Sequence, residues 1–457
     1  MNEDAHFLLN GRPVSLAGEN PTQSLLRWLH GQRLTGTKEG CGDGDCGACT
    51  VAVVAADAGG RRHYQAWNSC LLPLGSLPGR EVFTVEALAE GERLHPVQQA
   101  LVDCAGSQCG YCTPGFVMSL FVGNMNREFG DAVIEGNLCR CTGYRPIREA
   151  AAQLAAAATA DTRFGAVLAQ TAATPAEARL GQFFSPTTLA AAISLKQQYP
   201  AAQWIQGATD LGVALGRGQP PAPAYISLER VAELQRLDVD ADRVWIGAGV
   251  SLSRLETELA GVLPALDQML PWFAARQVKN RATFGGNLGS ASPIGDLLPI
   301  LLALDARIHL RGPDAERDLP ANGFFLAYRQ TQRRPEELIV GVEIPRRPVW
   351  ISAAYKVAKR QTDDISIVAA AFALCLDPAR RVQDARLAYG GVAALPLRAS
   401  GAEALLLGRV LDEACLGEVA AALATEFQPL DDHRASAAYR RRLCASLFER
   451  FVRERLP

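Results

Sequence analysis

Twelve cysteines occur in the chain, and most of them fall into two groups. The upstream group lies largely in a glycine-dense loop, and the downstream group flanks two predicted helix starts. In chain order the groups comprise Cys41, Cys46, Cys49 and Cys70, and then Cys104, Cys109, Cys112, Cys139 and Cys141. Thiolates are ligands for soft metals and for iron–sulfur clusters. The sequence therefore predicts two metal sites.

The upstream group has the spacing C-x4-C-x2-C followed by a distant fourth cysteine, which is the spacing of plant-type 2Fe–2S sites. The loop glycines Gly42, Gly44 and Gly47 leave room for backbone N–H groups to point at a cluster. A zinc site is the alternative, but zinc favours paired C-x2-C knuckles and this group has one. We therefore expect this group to hold a 2Fe–2S cluster.

The downstream group admits more than one interpretation. On residue chemistry, Cys109, Cys112, Cys139 and Cys141 suit either a 2Fe–2S cluster or a zinc ion. Spacing alone also makes Cys104 a ligand candidate, since with Cys109 and Cys112 it repeats C-x4-C-x2-C. It ends a predicted amphipathic helix, however, where a cysteine is usually a small buried residue. Helices predicted after Cys112 and Cys141 would place partial positive charge beside an anionic cluster.

Hairpins and one helix are predicted around the upstream group. Residues 7–16 indicate two strands joined at Asn10-Gly11, a preferred two-residue turn. Ser24 begins a short amphipathic helix, and 50–54 with 62–67 form a second hairpin. This order suits a β-grasp, plant-type ferredoxin-like domain over residues 1–85.

Helical patterns dominate residues 86–160, which we predict to form a helical-bundle domain. Thr113 and Pro114 are typical N-cap and first-turn residues, so a mostly apolar helix is expected over 115–129. Pro146 opens a further helix in the same way. The Ala- and Thr-rich segment 161–180 has weak patterning and is predicted to be a linker.

An α/β pattern follows over residues 181–345, and a C-terminal α+β domain is expected over 346–457. A strand running into a turn and helix is predicted for 201–212, and a strand for 244–250. The run from Thr283 to Asn287, TFGGN, resembles a backbone cradle for phosphates, although it would also suit a plain tight turn. Gly286 is expected to have a positive φ there. The fold class is thus α+β multidomain, with a two-part α/β domain at its centre.

Composition and charge exclude several classes of protein. The net charge is −2, from 46 basic and 48 acidic residues, which offers little attraction for nucleic acid or anionic membranes. No apolar run reaches the roughly 18 residues of a membrane-spanning helix, and the N-terminus lacks a signal-peptide pattern. We therefore expect a cytosolic protein.

The six histidines are scattered, and no catalytic triad is visible, so no catalytic residue is assigned. Three cysteines stand alone and are expected to be small core residues: Cys375, Cys415 and Cys444.

Six motifs carry a resemblance to a known family: EGCGDGDCGACTV, SQCGYCTPGFVMS, EGNLCRCTGYRPI, TFGGN, ASPIGD and RQTDDI. They resemble the iron–sulfur and flavin portion of the molybdenum hydroxylases, most closely the small subunit of the bacterial xanthine dehydrogenases. The resemblance covers nearly the whole chain. It implies that Cys109, Cys112, Cys139 and Cys141 hold a second 2Fe–2S cluster and that Cys104 is not a ligand.

The resemblance also implies an FAD-binding domain in the α/β region. Phe273 would lie beside the isoalloxazine, and the TFGGN run would cradle the pyrophosphate. Asp363 and Asp364 match an acidic pair near the approach of NAD. The full set of implied FAD contacts is Trp204, Ile205, Gln206, Gly207, Ala208, Thr209, Asp210, Leu211, Phe273, Thr283, Phe284, Gly285, Gly286, Asn287, Asp296, Ile339 and Lys356.

The implied function is electron transfer. Because the sequence ends at Pro457, molybdopterin and the catalytic residues are expected on a large partner subunit, in a heterotetramer of two small and two large subunits. Electrons would pass through both clusters to FAD and then to NAD during oxidation of hypoxanthine and xanthine to urate. A related aldehyde, nicotinate or aromatic-thioester hydroxylase is the enzymatic alternative. A redox sensor or an iron–sulfur scaffold without flavin is the non-enzymatic one.

Overall fold

A computed structural model of the protein describes residues 5–57, 59–157, 162–360 and 362–456. The chain divides into two compact units. The first runs to Ala232 and takes in Ala274–Ala282, and the second comprises Glu233–Phe273 and the chain from Thr283 onward. Both cysteine groups lie in the first unit. Within the described residues, no helix has the length and apolar character needed to cross a membrane.

The first unit opens with strands β1 (His6–Leu9), β2 (Arg12–Ser15), β3 (Thr50–Ala56), β4 (Arg62–Asn68) and β5 (Glu81–Phe83) and helix α1 (Leu25–Gly31). The strands form one sheet in the order β2-β1-β5-β3-β4, in which β1 and β5 are parallel. Both predicted hairpins are confirmed. At the first, Asn10 and Gly11 have the positive φ values, 54° and 76°, that a tight hairpin turn requires. Helix α1 buries Trp28 and Leu29 against Phe7 of the sheet.

Four helices follow: α2 (Pro96–Asp103), α3 (Thr113–Asn126), α4 (Arg145–Ala157) and α5 (Thr162–Leu168). The rings of Phe121 and Phe164 pack edge to face in their core, with centroids 4.8 Å apart. The segment 161–180, predicted as a linker, thus contains α5 in its described part. The sequence pattern missed this helix because one buried aromatic residue, Phe164, provides most of its packing.

Helix α3 starts and ends earlier than predicted. Cys112, rather than Thr113, occupies its N-cap, and the helix ends at Asn126 because Arg127 adopts a left-handed conformation. Pro114 lies in the first turn, where its missing N–H costs nothing. A cysteine of the second group is therefore placed at the positive end of a helix, as the sequence predicts.

The last part of the first unit before Ala232 contains a four-stranded sheet. Its strands are β6 (Ala178–Leu180), β7 (Phe183–Ser185), β8 (Gln203–Ile205) and β9 (Tyr225–Ser227), with helices α6 (Leu189–Gln198) and α7 (Leu211–Gly216). The order is β6-β7-β9-β8, and β9 is parallel to both of its neighbours. β8 and α7 confirm the strand, turn and helix predicted for 201–212.

The second unit begins with a sheet whose order is β10-β11-β16-β12-β13, all antiparallel. The strand predicted for 244–250 ends at Gly247. The strands up to this point are β10 (Leu237–Val239), β11 (Arg243–Gly247), β12 (Arg307–Arg311), β13 (Glu316–Pro320), β14 (Phe325–Ala327), β15 (Gln330–Thr331) and β16 (Leu338–Pro345). The helices over this stretch are α8 (Leu252–Glu258), α9 (Pro264–Met269), α10 (Arg276–Lys279), α11 (Phe284–Ser290) and α12 (Leu298–Ala303), of which α10 belongs to the first unit.

The second unit ends with strands β17 (Ile351–Val357), β18 (Val368–Leu376), β19 (Val382–Gly390) and β20 (Leu397–Arg398) and helices α13 (Ser400–Leu406), α14 (Glu413–Glu426) and α15 (Ala437–Arg455). The strands form an antiparallel sheet in chain order. Phe448 and Phe451 of α15 pack on Phe372 of β18. Cys415 and Cys444 are buried in this core as predicted, whereas Cys375 is half-buried. The predicted α+β multidomain class is confirmed.

A buried charge cluster joins three distant segments of the first unit. The Glu229 carboxylate accepts hydrogen bonds from both Nη atoms of Arg281, at 2.9 and 2.8 Å, and from Arg80. The two guanidinium groups lie 4.4 Å and 4.8 Å from the ring centroid of Trp67. Burial raises the pKa of Glu229, but the arginine charges outweigh burial and bring the pKa to about 2. Glu229 is therefore ionised in the folded chain at neutral pH.

Replacing Glu229 by Gln keeps the side-chain volume and leaves the buried Arg281 and the half-buried Arg80 without their counter-ion. We expect Glu229→Gln to lower the free energy of unfolding by about 3–5 kcal/mol at pH 7, the usual cost of an unpaired buried charge. The folded pKa of about 2 lies below the ordinary 4.5. The carboxylate therefore stabilises the fold fully above pH 4.5, and this contribution is lost as the pH falls towards 2. Thermal and denaturant unfolding between pH 7 and pH 3 measure both effects.

Glu149→Gln is the matched control. Glu149 pairs with Arg145 at 3.0 Å in an exposed ion pair, and such pairs contribute up to about 1 kcal/mol. Equal losses of stability in the two variants would contradict the role assigned to the buried cluster.

Candidate cofactor sites

The first cysteine group lies in two loops of the β-grasp domain. Cys41 and Cys46 lie between α1 and β3, Cys49 directly precedes β3, and Cys70 is in the 3₁₀ turn Ser69–Leu71 after β4. The residues come together in pairs. The Sγ atoms of Cys49 and Cys70 are 3.3 Å apart, and the Cys41 amide donates to Cys46 Sγ at 3.3 Å.

Backbone groups surround these sulfurs closely. The Asp43 amide donates to Cys41 Sγ at 3.5 Å. A Cβ added at Gly40 would lie 2.6 Å from Cys46 Sγ, so a side chain there would have to displace that sulfur. Three further loop glycines have positive φ: Gly42, Gly44 and Gly47. The loop therefore follows a path that side chains disfavour and that exposes its amides to the sulfurs.

The second group also forms two pairs. Cys109 and Cys112 lie between α2 and α3, and Cys139 and Cys141 precede α4. The Sγ atoms of Cys141 and Cys109 are 3.2 Å apart. Cys139 Sγ accepts hydrogen bonds from the amide and hydroxyl of Thr142, at 3.4 and 3.1 Å. The Cys112 and Cys139 side chains interact, and this interaction contributes to the raised pKa of Cys112.

Within each pair, one sulfur favours the thiolate. Burial raises the pKa of Cys112 to about 12, and the hydrogen bond with Cys139 adds to this. Burial also raises the pKa of Cys139, but the bonds from Thr142 outweigh it and bring the pKa to about 7. In the first group, the hydrogen bond from Cys41 lowers the pKa of Cys46 to about 6. The thiolate is the form of cysteine that binds metal.

The two remaining pairs behave in the same way. The hydrogen bond from Cys70 lowers the pKa of Cys49. In the exposed pair, the hydrogen bond from the Tyr111 amide lowers the pKa of Cys109. In each of the four pairs, hydrogen bonds therefore lower the pKa of one thiol.

Paired sulfurs suit a 2Fe–2S cluster, because each of its two irons takes two thiolates. A zinc ion instead needs four ligands around a single centre. Among the residues that the structure describes, no three His, Cys, Asp or Glu side chains gather so as to hold one metal ion. Cys104 belongs to neither pair of the second group; it lies at the C-cap of α2, and its Sγ donates to Gln153 Oε1 at 3.3 Å. The four pairs fit two clusters.

Hydrogen bonds join the two cysteine loops directly. Leu138, which precedes Cys139, donates its N–H to the carbonyl oxygen of Cys46 at 3.0 Å. The hydroxyl of Tyr111 donates to the carbonyl oxygen of Glu39. The two loops are therefore connected through backbone atoms next to candidate ligands.

A segment that the sequence analysis missed supports both loops. Ala274–Ala282 is far along the chain but belongs to the first unit. Gln277 Nε2 lies within hydrogen-bonding distance of Thr50 Oγ1, Ser119 Oγ and Asn137 Oδ1, at 3.3, 3.2 and 3.1 Å. Its partners are more than a hundred residues away in the sequence, and a lone glutamine carries no spacing signal. Sequence patterns could not have found it.

The predicted FAD contacts fall in both units. In the first, the segment Trp204–Leu211 leaves β8 through a turn and enters α7 at its last residue. Gly207 has a φ of 67°, and a Cβ there would lie 2.1 Å from the Arg281 carbonyl oxygen, so this turn requires glycine. Gln206 Nε2 is buried and has no hydrogen-bond partner among the described residues.

In the second unit, Thr283 caps α11. Its Oγ1 accepts a hydrogen bond from the Gly286 amide at 3.0 Å. The positive φ predicted for Gly286 is wrong, because this glycine lies in the first turn of a helix. Gly285 is the position that needs glycine, since a Cβ there would lie 2.8 Å from the Ala248 carbonyl oxygen. Asn287 Oδ1 is buried and has no partner among the described residues.

Asp296 and Lys356 form a buried ion pair with a separation of 2.8 Å. Asp296 also accepts a hydrogen bond from the Ser366 hydroxyl, and Lys356 Nζ donates to the Trp272 carbonyl oxygen at 2.9 Å. Trp272 precedes Phe273, the predicted neighbour of the isoalloxazine. The ion pair therefore anchors the backbone beside Phe273.

The acidic pair predicted near NAD lies before β18. Asp364 Oδ2 accepts from the Arg360 amide at 2.8 Å, and Arg360 Nη2 donates to the Asp363 carbonyl oxygen at 3.0 Å. Asp363 is buried and has a φ of 49°, whereas Asp364 is half-buried. Gln361 of the same motif lies outside the described residues. Ile339, another predicted contact, is buried on β16.

Each of the two principal FAD segments thus keeps one unsatisfied amide atom, on Gln206 and on Asn287. Buried polar atoms are rarely left without a partner in a native protein, and a bound ligand can supply the partner that the chain itself does not. Taken separately, each segment fits a contact with a ligand that has hydrogen-bonding groups, as FAD has.

Four family models match the chain in succession. They are the 2Fe-2S iron-sulfur cluster binding domain (7–74), the [2Fe-2S] binding domain (84–152), the FAD binding domain in molybdopterin dehydrogenase (177–347) and the CO dehydrogenase flavoprotein C-terminal domain (353–455). The first two matches contain the two cysteine groups.

A xanthine dehydrogenase and an aldehyde oxidase are similar in sequence to almost all of this chain. It is 32% identical to a xanthine dehydrogenase of Emericella nidulans over 99% of the chain, and 31% identical to aldehyde oxidase 4 of Cavia porcellus over 98%. The chain spans 39% of the length of each of these relatives. A solved carbon monoxide dehydrogenase from Hydrogenophaga pseudoflava, lacking the Mo-pyranopterin moiety of its molybdenum cofactor, matches with a TM-score of 0.56 and 26% identity. That match covers 60% of this chain and 96% of the other.

The order of the matched domains agrees with the geometry described above. Two iron–sulfur domains come first, each with its paired cysteines, and a flavin-binding domain and its C-terminal partner follow. By its domains and its relatives, the chain belongs to the molybdenum hydroxylase family, of which it forms an iron–sulfur and FAD-binding portion.

Proposed function

We propose that this chain is the electron-transfer subunit of a molybdenum-dependent xanthine dehydrogenase. Electrons released when a partner subunit oxidises hypoxanthine or xanthine would pass through two 2Fe–2S clusters to FAD and then to NAD. The observation that carries the proposal is the hydrogen bond from the Leu138 amide to the Cys46 carbonyl oxygen, 3.0 Å long. Two cysteine loops joined through their backbones favour a conduit over two independent structural sites.

The chain's own part is to hold the cofactors and to shield the sulfurs. Clusters exchange single electrons, and a flavin can combine two of them for transfer to a two-electron acceptor. Each iron would be held by one pair of thiolates: Cys41 with Cys46, Cys49 with Cys70, Cys109 with Cys141, and Cys112 with Cys139.

The family resemblance implies an order for the relay, and one contact within the first unit supports it. Exposure does not distinguish the two groups, because Cys41 of the first group is exposed as well as Cys109 and Cys141 of the second. Cys70 precedes Leu71, whose backbone packs against Gly212 of α7, just after the predicted FAD segment. We therefore put the cluster of the second group first, the cluster of the first group next, and FAD after it.

FAD would be held by Trp204–Leu211 and by Thr283–Asn287, with further contacts from Phe273, Asp296, Ile339 and Lys356. Asp363 and Asp364 would lie near the nicotinamide. The ring of oxidised NAD is a cation, so a nearby carboxylate would favour its binding.

The rest of the proposal concerns the partner. Molybdopterin and the catalytic residues would be on a large subunit, in a cytosolic heterotetramer of two small and two large subunits. We propose domain boundaries at 1–85, 86–160, 181–345 and 346–457.

Oxidation of aldehydes is the second candidate function, favoured by the similarity to an aldehyde oxidase. NAD reduction by the holoenzyme with purines, rather than with aldehydes, separates the two candidates.

Cysteine substitutions test the ligand assignment. We expect Cys109→Ser to lose one cluster signal in EPR spectra and to stop electron flow from the partner to FAD, because a pair of thiolates is broken. Cys104→Ser is the matched control, since its Sγ donates to Gln153 instead of pairing with another sulfur. We expect it to keep both signals with a modest loss of stability. Loss of a cluster in the Cys104 variant, with both kept in the Cys109 variant, would reverse the assignment.

Asn287 offers a sharper test of the FAD site than the neighbouring glycines. Its Oδ1 is buried and meets no hydrogen-bond partner in the part of the chain that the structure describes, and an unmade buried hydrogen bond costs about 1–3 kcal/mol. If FAD satisfies this atom, Asn287→Leu should lose FAD while the flavin-free protein unfolds at an equal or higher temperature. Flavin absorbance and thermal unfolding measure the two quantities. In Ser290→Ala, which removes a hydroxyl already bonded to the Asn287 carbonyl oxygen, FAD should be retained. Full flavin content in the Asn287 variant would show that this residue is not a ligand.

A further inference from the structure

Helix α7 lies unusually close to the first cysteine group. A Cβ added at Gly212 would lie 2.6 Å from the carbonyl oxygen of Leu71, 2.9 Å from its Cα and 3.1 Å from its carbonyl carbon. All three atoms are backbone, so they cannot turn aside as the end of a flexible side chain would. Leu71 follows Cys70 directly. The backbone of α7 therefore touches the backbone beside a candidate cluster ligand.

Side chains extend this contact. The buried residues Leu26, Cys49, Cys70 and Leu71 form one small apolar cluster, and Val213 of α7 packs against it. The helix therefore contributes directly to the apolar surroundings of one cysteine pair. The contact between α7 and this cluster thus involves buried side chains as well as backbone.

The other end of α7 is anchored on the second loop of the first cysteine group, the one between α1 and β3. Arg217, the C-cap residue, pairs with Asp43 at 3.1 Å. A Cβ at Gly216 would lie 3.4 Å from the Gly42 carbonyl oxygen, which is an ordinary contact distance. Gly212 and Gly216 are one turn apart and face these two loops, Gly212 the turn after β4 and Gly216 the loop before β3. Of the two, only Gly212 has no room for a side chain.

The chain enters α7 from the segment Trp204–Leu211, the predicted FAD contact. Helix α7 is rigid and contacts the turn beside Cys70. It therefore fixes the distance between that turn and the segment Trp204–Leu211. We propose that Gly212 is a positioning residue that sets the length of the electron-transfer step between the first cluster and FAD. This inference rests on the proposed function, since it needs both cofactors.

If Cys41, Cys46, Cys49 and Cys70 hold the first cluster, the step would move one electron from that cluster to FAD and oxidise one ferrous iron to ferric. A second such transfer, with two protons from solvent, gives the fully reduced flavin. Electron tunnelling slows exponentially with distance. A Cβ at Gly212 that pushes α7 away from Leu71 should therefore slow this step without altering either cofactor.

Gly212→Ala in the holoenzyme tests the proposal, with Gly216→Ala as the matched control on the same helix. We expect the Gly212 variant to keep its iron, its flavin and the midpoint potentials of both clusters. Pulsed EPR should show a weaker magnetic interaction between the flavin and the first cluster, and electron transfer between them after flash reduction should be severalfold slower. The Gly216 variant should match the unmodified protein in every measurement.

Val213→Ala provides a second variant should Gly212→Ala fail to fold. It shortens a partly buried side chain packed on the cysteine cluster and inserts no atom, and it should change the same magnetic interaction at constant iron and flavin content. An unchanged interaction and an unchanged transfer rate in the folded variants would overturn the positioning role. Absence of the first cluster or of FAD from the unmodified protein would instead be a failure of the proposed function, recognisable before any variant is made.

Discussion

The close approach of backbone to backbone around the first cysteine loop is the constraint on which the rest of the structure depends. A Cβ at Gly47 would lie 2.2 Å from the Gly136 carbonyl oxygen, and one at Gly115 would lie 2.3 Å from the Gly47 carbonyl oxygen. On another side, Gly212 meets Leu71 in the same way. Side chains at Gly47 and Gly115 would push the second cysteine loop and α3 away from the loop before β3, and one at Gly212 would push α7 away from the turn after β4. The glycines keep these segments together.

Polar contacts make this arrangement specific. Gln277 lies among the hydroxyl and amide groups of Thr50, Ser119 and Asn137, and Asn137 donates to the Gly47 carbonyl oxygen at 3.0 Å. Buried polar groups are costly when unpaired, so a network of this kind tolerates few alternative packings. It ties the helical domain, the β-grasp domain and a segment from far along the chain into one unit. An electron relay needs fixed distances, and such a network provides them.

The sequence predicted what depends on local spacing. The plant-type cysteine pattern, the Asn10-Gly11 hairpin and the strand, turn and helix over 201–212 are all local signals, and the structure contains the last two as predicted. The pairing of Cys109 with Cys141 depends on how two loops fold together, and the membership of Ala274–Ala282 in the first unit depends on contacts over long sequence separations. Neither leaves a pattern in the sequence. The positive φ predicted for Gly286 failed because the Thr283 side chain caps a helix at that point, a choice that the GGN motif alone does not reveal.

Metal and flavin analysis of the purified protein, combined with EPR after partial reduction, tests the central claim most directly. Two clusters, each with two irons and four thiolates, predict about four Fe per chain and two distinct 2Fe–2S signals, together with one FAD. A chain that contained about two Fe and one zinc ion would contradict the second cluster. A chain with both clusters and no flavin would be a scaffold or sensor rather than the relay described here.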